Sequence, residues 1–397
     1  MRCDDIQNTA ELRSLNKKKI LDSLRVHGAL TKREIADYTM LSFATVSSLA
    51  NQMEEDGMLQ RGGVCTSNGG RMPALFSIRT DLYFLLAINF AIDNVVRMAL
   101  MNLSGQRMYE WECTFTASDS YGDVLSMVGM GMQALLENAS VGMESVLSGV
   151  AAVPAIYDQH NQTVINSTIS LYENRRMADD LRALLEMEIV IENESNLMAL
   201  ACLDNGADHD KADDLIFLYI GEGLGIGVVS GNALLTGAHG FGGEISHIPL
   251  GRAGYQCYCG QANCVETELS ISGFVRKYNE RQTMNAIDAD LPVPQQWQRF
   301  AELCSYNDAD ALAVVRENGA LLGTLTAALV NLLDPQKVII GGYIDQIADF
   351  LLPFVQSEMS HRLVVRRQEG VPIRFAKGYN RLITAGCGEL AFAKWNP

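Results

Sequence analysis

The chain has 397 residues, 48% of them hydrophobic, and a formal net charge of −16. This size and composition predict a globular protein of two or three domains with a large core. The excess of acidic residues argues against general binding to nucleic acids or membranes, whose phosphates repel an acidic surface. No apolar run approaches the roughly 18 residues of a membrane span, and no signal peptide opens the sequence, so we expect no membrane contact and a cytoplasmic location.

Charge is divided unevenly along the chain. Residues 1–80 contain 11 Lys and Arg against 9 Asp and Glu, whereas the rest contains 20 basic and 38 acidic residues. Any contact with DNA is therefore expected from the first 80 residues.

Three helices are predicted in this N-terminal segment. The first covers residues 16–27. A capping box of Thr31 and Glu34 opens the second helix, and Ser42 is a suitable N-cap for the third. The helical spacing of apolar residues predicts the buried positions Ile20, Leu21, Leu24, Ile35, Ala36, Val46, Leu49 and Met53.

A predicted hairpin follows, with strands over 58–61 and 74–78 around a glycine-rich tip. Helix, capped helix, polar third helix and basic-tipped hairpin together predict a winged helix-turn-helix over residues 1–80. Hydroxyl, amide and basic side chains on its exposed face can bond bases and phosphates. The expected DNA contacts are Lys32, Arg33, Ser42, Phe43, Thr45, Ser47, Ser48, Asn51 and Arg71. A three-helix domain that binds other proteins is the alternative interpretation.

From residue 83 onward the pattern changes to strands and helices in two similar series. The first has strands over 83–90, 95–103 and 106–116, a helix over 121–138, strands over 145–155 and 188–193, and a helix over 196–203. The second has strands over 215–220 and 228–230 around a glycine-rich turn at 221–227, a helix over 320–333, a strand over 337–340, and helices over 344–361 and 383–394. Two such series suggest two lobes that face each other across a cleft, where ligands commonly bind.

The clearest local signal is a histidine followed by three closely spaced cysteines. His247, Cys257, Cys259 and Cys264 have the spacing H-x9-C-x-C-x4-C. Three thiolates and one imidazole suit tetrahedral Zn²⁺ and leave no position for a substrate water, which predicts a structural zinc loop over 247–264. The alternative is buried core cysteines beside a chance histidine, although glycines and polar residues surround them. The other cysteines, expected to be small buried hydrophobic residues, are Cys3, Cys65, Cys113, Cys202, Cys304 and Cys387.

Three segments carry a resemblance to a known family. They are the glycine-rich 221–227, Gly-Gly-Glu-Ile-Ser-His at 242–247 and Cys-Tyr-Cys-Gly-Gln-Ala-Asn-Cys-Val-Glu at 257–266. Together they resemble the signature of the ROK family, which groups bacterial repressors with sugar kinases, and residues 331–342 resemble the family's adenosine-side segment. The resemblance implies a two-lobed α/β actin-like ATPase (RNase H-like) fold over 81–397. Its lobes would be about 81–195 plus the C-terminal helix and about 196–380, preceded by the winged helix typical of the repressor branch.

The same resemblance implies a sugar site. Glu244 and Glu266 match family carboxylates that hold sugar hydroxyls, and His247 matches a zinc ligand that borders the sugar. Asn193 and Glu194 align with the family's Asn-Asp pair. A carboxylate can accept hydrogen bonds from two neighbouring hydroxyls, which suits this role. The alternative for each acid is a solvated surface residue.

Kinase activity is not expected, because phosphorylation of a sugar needs a phosphate cradle and a carboxylate base. ROK kinases place Asp-x-Gly-Gly-Thr after the first strand, but residues 89–93 here are Asn-Phe-Ala-Ile-Asp. We expect Phe90 to stand where the nucleotide would approach. Glu194 replaces the Asp of the family's base. The glycines at 221–227 are kept, which close packing can explain without a phosphate.

The predicted function is a sugar-responsive transcriptional regulator, similar to the family's repressors of carbohydrate-utilisation genes. Its expected partners are operator DNA, a monosaccharide or sugar-phosphate effector, and further copies of the chain in a homodimer or homotetramer. A sugar that binds two lobe arrangements with different affinity would change the spacing of the paired DNA-binding domains. The alternatives are an ATP-dependent sugar kinase and a regulator controlled by docking to a sugar-transport phosphotransfer protein.

Overall fold

A computed structural model describes residues 9–64, 73–92, 94–203, 212–252, 254–282, 286–364 and 370–397. The chain divides into two compact units, each made of segments that are distant in sequence. Unit 1 comprises residues 1–153, 176–191 and 387–397, and unit 2 comprises residues 154–175 and 192–386. Among the described residues, no helix is long and apolar enough to cross a membrane.

The N-terminal part of unit 1 contains three helices and a three-stranded sheet in the order β1-β3-β2. Its elements are α1 (Thr9–His27), β1 (Leu30–Thr31), α2 (Lys32–Thr39), α3 (Phe43–Glu55), β2 (Leu59–Val64) and β3 (Ala74–Ile78). The predicted capping box of Thr31 and Glu34 is present, and the Ser42 hydroxyl caps α3. The predicted apolar positions are buried, except that Ala36 is half-buried. Helix α1 begins seven residues before the predicted start at residue 16.

From residue 84 onward, two five-stranded sheets and their helices form the body. The first series is β4 (Phe84–Asn89), β5 (Val95–Asn102), β6 (Arg107–Thr114), α4 (Tyr121–Ala139), β7 (Val146–Val153), β8 (Ala155–Asp158), β9 (Thr163–Ser167), α5 (Met177–Leu185), β10 (Ile189–Asn193) and α6 (Glu194–Ala201). The second is β11 (Leu215–Ile220), β12 (Leu224–Ser230), β13 (Ala233–Leu234), α7 (Glu266–Leu269), α8 (Ile271–Arg281), α9 (Val293–Ser305), α10 (Ala309–Leu333), β14 (Lys337–Gly342), α11 (Ala348–Arg362), β15 (Ile373–Phe375) and α12 (Tyr379–Lys394).

The two large sheets have corresponding strand orders, β6-β5-β4-β7-β10 and β13-β12-β11-β14-β15. In both, the central strand pairs antiparallel with the next strand in sequence and parallel with a later one, as β4 does with β5 and β7. Strands β4, β11 and β14 are buried at every residue, because they lie inside a sheet with a strand on either side and their sequences are mostly apolar. The two similar series predicted from the sequence are confirmed.

Several element boundaries differ from the prediction. The strand expected over 145–155 is interrupted at Pro154, which has no N–H to donate to a ladder. Helix α6 begins at Glu194 and α10 at Ala309, both earlier than predicted. The β8–β9 hairpin is not among the predicted elements, and neither are helices α5, α8 and α9, although the apolar residues of these three helices have helical spacing.

The glycine-rich turn predicted over 221–227 is wrong beyond Gly223, since β12 begins at Leu224. Gly225 and Gly227 lie inside this strand, where α6 packs against it. A Cβ atom on Gly227 would lie 2.6 Å from the Ala199 Cβ and would overlap the Ser195 carbonyl oxygen. These glycines therefore allow close approach of helix and strand within unit 2.

Replacing Gly227 with alanine is expected to lower the free energy of unfolding by about 1–3 kcal/mol, because the new methyl group meets backbone that cannot move aside easily. Gly223→Ala is the matched control, since its Cβ would have 3.8 Å of clearance. Thermal unfolding of both variants checks this prediction. Equal melting temperatures for the two variants would contradict it.

Candidate functional site

Glu194 is buried in surroundings that destabilise the charged form of its carboxyl group. It is the first residue of α6, and the side-chain oxygen of its N-cap, Asn193, accepts from the Ser195 N–H at 2.8 Å. The Glu194 side chain is buried, and its Oε2 atom has no hydrogen-bond partner among the described residues. Burial, with the negative charges of Glu244 and Glu192, raises the pKa of Glu194 to about 8. A buried carboxyl oxygen without a partner is suited to bonding a hydroxyl group of a ligand.

Two further acids share this environment. Glu244 directly precedes the short 3-10 turn Ile245–His247, and Glu266 is the first residue of α7. Burial and the charge of Glu244 raise the pKa of Glu266 to about 7, against hydrogen bonds from the Leu224 N–H and the Tyr258 hydroxyl. Glu244 keeps more of its surface exposed, but partial burial of its carboxylate also raises its pKa. The structure thus brings the three predicted sugar carboxylates together in unit 2.

The neighbouring charges that act most strongly on these acids are themselves negative. Such a group can accept hydrogen bonds from several hydroxyls but disfavours an anionic ligand. Asn193 is engaged within the protein, because its Nδ2 also donates to the Ala155 carbonyl at 3.2 Å. Sequence reasoning missed Glu192, whose charge acts on Glu194, although it stands two residues before Glu194 and could have been suspected.

His247, Cys257, Cys259 and Cys264 form a compact cluster, with all ligand atoms within 4.8 Å of one another. The Cys257 Sγ lies 3.6 Å from His247 Nδ1, and the Cys259 Sγ lies 3.5 Å from the Cys264 Sγ. Ligand atoms around a tetrahedral zinc are roughly 3.5–4 Å apart at usual bond lengths, so the cluster has a suitable size. The other ring nitrogen of His247 lies 3.3 Å from the Tyr258 hydroxyl, which can fix the orientation of the imidazole.

The remaining cysteines are mostly as predicted. Cys202, Cys304 and Cys387 are buried. Cys113 is only half-buried, because it lies on the edge strand β6, so the expectation of a buried residue is wrong there. Cys3 and Cys65 lie outside the described residues.

Some of the side chains expected to contact DNA are hydrogen-bonded within the protein, and several are exposed to solvent. Lys32 is occupied, since its Nζ donates to Asn51 Oδ1 at 2.6 Å and lies 3.2 Å from Ser47 Oγ. The hydroxyls of Ser42 and Thr45 are hydrogen-bonded to each other at 2.8 Å. The exposed members of the set are Arg33, Ser42, Phe43, Ser48 and Asn51, and Arg71 lies outside the described residues.

The segment after β4 differs from the expectation at Phe90. This side chain is fully buried, so its ring is part of the core and the interpretation that it blocks an open nucleotide site is wrong. The backbone gives a different reason for doubting a phosphate cradle. The Phe90 N–H donates to the Ala152 carbonyl at 2.9 Å, and the Ala91 N–H donates to Asn89 Oδ1 at 2.8 Å. Asp93 lies outside the described residues.

Comparison with known proteins identifies the family. A family model described as ROK family matches residues 93–391. The chain belongs to the ROK family. This ROK protein is 24% identical over 387 residues to the xylose repressor of Caldicellulosiruptor bescii, with 96% of each chain covered. It is 23% identical over 373 residues to the N-acetylglucosamine repressor of Escherichia coli O157:H7, which covers 93% of this chain and 90% of the relative.

Solved structures confirm the fold of the body. A ROK family transcriptional regulator, described as a homolog of the E. coli MLC protein, matches this ROK protein with a TM-score of 0.79 at 19% identity, covering 96% of this chain and 97% of the other. A ROK family glucokinase from Streptomyces griseus, in complex with glucose and AMPPNP, matches with a TM-score of 0.63 at 21% identity. The glucokinase match covers 78% of this chain and 99% of the kinase.

The pKa of Glu194 leads to a prediction about stability. Its folded-state pKa of about 8 lies above the ordinary value of 4.5, so the folded state keeps a proton that the unfolded state has lost. Glu194 should therefore contribute a fall of about 2 kcal/mol in wild-type stability as pH rises from 6 to 8. Glu266, whose pKa is also raised, adds to this fall, so Glu194→Gln should reduce the wild-type loss without abolishing it, while the exposed Glu173→Gln control should retain all of it. Melting temperatures at both pH values check this, and a parallel pH dependence in all three proteins would contradict it.

Proposed function

We propose that this ROK protein is a transcriptional regulator, a repressor whose affinity for operator DNA is lowered by a sugar. The observation that carries the proposal is full-length similarity to repressors: 96% of this chain aligns with 96% of the xylose repressor. A complete ROK glucokinase corresponds to only 78% of the chain. About a fifth of the chain is additional, which is the size of the N-terminal segment of residues 1–80.

A winged helix-turn-helix is the best description of that segment. Three helices precede a hairpin, and α3 starts after a hydroxyl cap with exposed side chains along its outer face. Phe43 and Ser48 are exposed on α3, so they can reach base edges or phosphates without rearrangement. One winged helix covers a half-site, which supports a homodimer on a two-part operator.

The acids Glu194, Glu244 and Glu266, with His247 beside them, are the proposed sugar-binding residues. Their carboxylates can accept hydrogen bonds from vicinal hydroxyls, and their shared negative field favours an uncharged monosaccharide over a sugar phosphate. Xylose and N-acetylglucosamine are named by the relatives, so they are the first candidates.

The cysteine cluster is proposed to hold a structural Zn²⁺. His247 Nδ1 and the three cysteine sulfurs would be its ligands, and a complete set of four protein ligands leaves no position for substrate. A bound zinc would supply a crosslink between the 3-10 turn that carries His247 and the loop that leads to Glu266. The cluster therefore supports the sugar site mechanically.

Phosphoryl transfer is not part of the proposal. Residues 89–92 contain no glycine, and two of their backbone N–H groups already have protein partners, so they do not offer a phosphate the free donors that a cradle needs. Glu194 is retained as a ligand for sugar hydroxyls.

The zinc proposal predicts that Cys259→Ser and Cys264→Ser lose the metal and melt at a lower temperature, because a structural zinc contributes to folding free energy. Elemental analysis of purified protein and calorimetry measure the two effects. Cys113→Ser is the matched control and should keep one equivalent of metal. Wild-type protein that contains no zinc after expression with zinc supplementation would contradict the proposal.

The regulatory proposal predicts that one neutral monosaccharide stabilises the protein and weakens its binding to DNA at least tenfold. D-xylose, D-glucose and N-acetyl-D-glucosamine are screened by thermal shift, where a ligand at 100 times its Kd adds about 2.7 kcal/mol. The operator is selected from random DNA with the wild-type protein, and affinity is measured by fluorescence anisotropy.

Two variants separate the sites in this experiment. Glu266→Gln should weaken sugar binding and leave the affinity for DNA without sugar unchanged, whereas Ser48→Glu should weaken DNA binding and leave sugar binding unchanged. Ser126→Glu, on the exposed face of α4, is the control for an added charge. A sugar that binds tightly without changing DNA affinity would refute sugar control.

A further inference from the structure

Lys18 of α1 contacts the end of the chain's last helix. Within unit 1, its Nζ donates to the Ala393 carbonyl at 2.5 Å and to the Trp395 carbonyl at 2.8 Å. These carbonyls lie at the C-terminal end of α12, where helix carbonyls lack intrahelical partners and the helix dipole is negative. Partial burial lowers the pKa of Lys18.

Arg25 makes a second contact two turns later on the same face of α1. Its guanidinium pairs with the Glu389 carboxylate and lies 4.3 Å from the centre of the Phe392 ring. Only 14% of the Arg25 side chain is exposed, so solvent screens the pair less than a surface ion pair. The same Phe392 ring lies 5.4 Å from Lys18 Nζ. Lys18 and Arg25 of α1 are therefore both bound by residues 389–395.

The turn between β5 and β6 packs against the ion pair. Gly105 has a φ of +81°, and a Cβ atom there would lie 2.8 Å from an Arg25 guanidinium nitrogen and 3.5 Å from a Glu389 carboxylate oxygen. A further tie lies near the end of α3, where the Tyr83 hydroxyl donates to the Asp56 carbonyl at 2.9 Å. The N-terminal helices are thus held by specific contacts to the rest of unit 1.

We propose that Lys18 and Arg25 are positioning residues, which dock the DNA-binding helices on residues 389–395 so that two half-sites are engaged at a fixed spacing. This inference rests on the proposed function. Both residues count toward the basic charge of the N-terminal segment, but their side chains are engaged by residues 389–395 of the same chain. A fixed spacing raises the affinity for a two-part operator. Once one half-site is bound, the DNA-binding helices of the second copy are already held close to the other half-site.

The test uses full-length Glu389→Gln, which removes the charge facing Arg25 and preserves side-chain size, and full-length Lys18→Met, which removes the amine that donates to the Ala393 and Trp395 carbonyls. Glu112→Gln is the control, since it removes an exposed ion pair with Arg97 in the same unit. Hydrogen–deuterium exchange of residues 9–27 measures docking. Operator affinity is measured on the selected DNA with both half-sites and with one half-site.

Docking predicts that exchange in α1 rises at least tenfold in both test variants and is unchanged in Glu112→Gln. Positioning predicts that affinity for the two-part operator falls at least tenfold, while affinity for one half-site changes less than twofold. Unchanged exchange would overturn the docking. Faster exchange with unchanged two-part affinity, or an equal loss on both DNAs, would overturn the positioning role.

If the wild type selects no DNA, the proposed function fails and the positioning role with it, while the exchange result still decides whether the helices are docked.

Discussion

The close packing of α6 on β12 is the constraint on which the candidate site depends. Gly225 and Gly227 remove the side chains that would separate the helix from the strand, and the N-terminus of α6 is held there with Glu194 as its first residue. Burial at this contact disfavours the charged form of the carboxyl, and the acids nearby add to the effect. The site is therefore polar in chemistry but poorly solvated, a setting in which ligand hydroxyls form strong hydrogen bonds.

Sequence patterns predicted those features of the structure that depend on residues close together in the sequence. The capping box at Thr31 and the cysteine spacing around Cys257 depend on residues that are near in sequence, so spacing alone located them. The packing of Glu194 beside Glu244 depends on the meeting of α6 with a loop 50 residues later, and only the family resemblance brought these residues into one site. No property of the isolated sequence predicts that contact.

Two errors show how tertiary packing overrides local preference. Gly225 and Gly227 suggested a turn, because glycine is common in turns, but they form a strand whose missing side chains admit a helix. Phe90 was assigned to an open site by its place in a motif, but a fully buried ring belongs to the core. In both cases the residue type was recognised as unusual for its position in the sequence. Its role, however, depends on residues that are close in space and distant in sequence.

The body shares its fold with a ROK glucokinase and with a ROK transcriptional regulator, so the fold alone does not separate catalysis from regulation. Near β4, residues 89–92 contain no glycine and the N–H groups of Phe90 and Ala91 have protein partners, while the acids of the candidate site lie together in unit 2. A binding pocket can persist after the phosphate-binding segment has changed, because the two are built from different strands and loops.

The contact between α1 and residues 389–395 also constrains how the protein is made. A ribosome releases α1 early in synthesis, whereas Glu389 and Trp395 emerge at its end. Until then, the N-terminal helices must keep their own fold without their docking surface, since domains generally fold in the order of synthesis. A chain interrupted near its end would leave the N-terminal helices without this contact, held to unit 1 by ties such as the hydrogen bond from the Tyr83 hydroxyl to the Asp56 carbonyl.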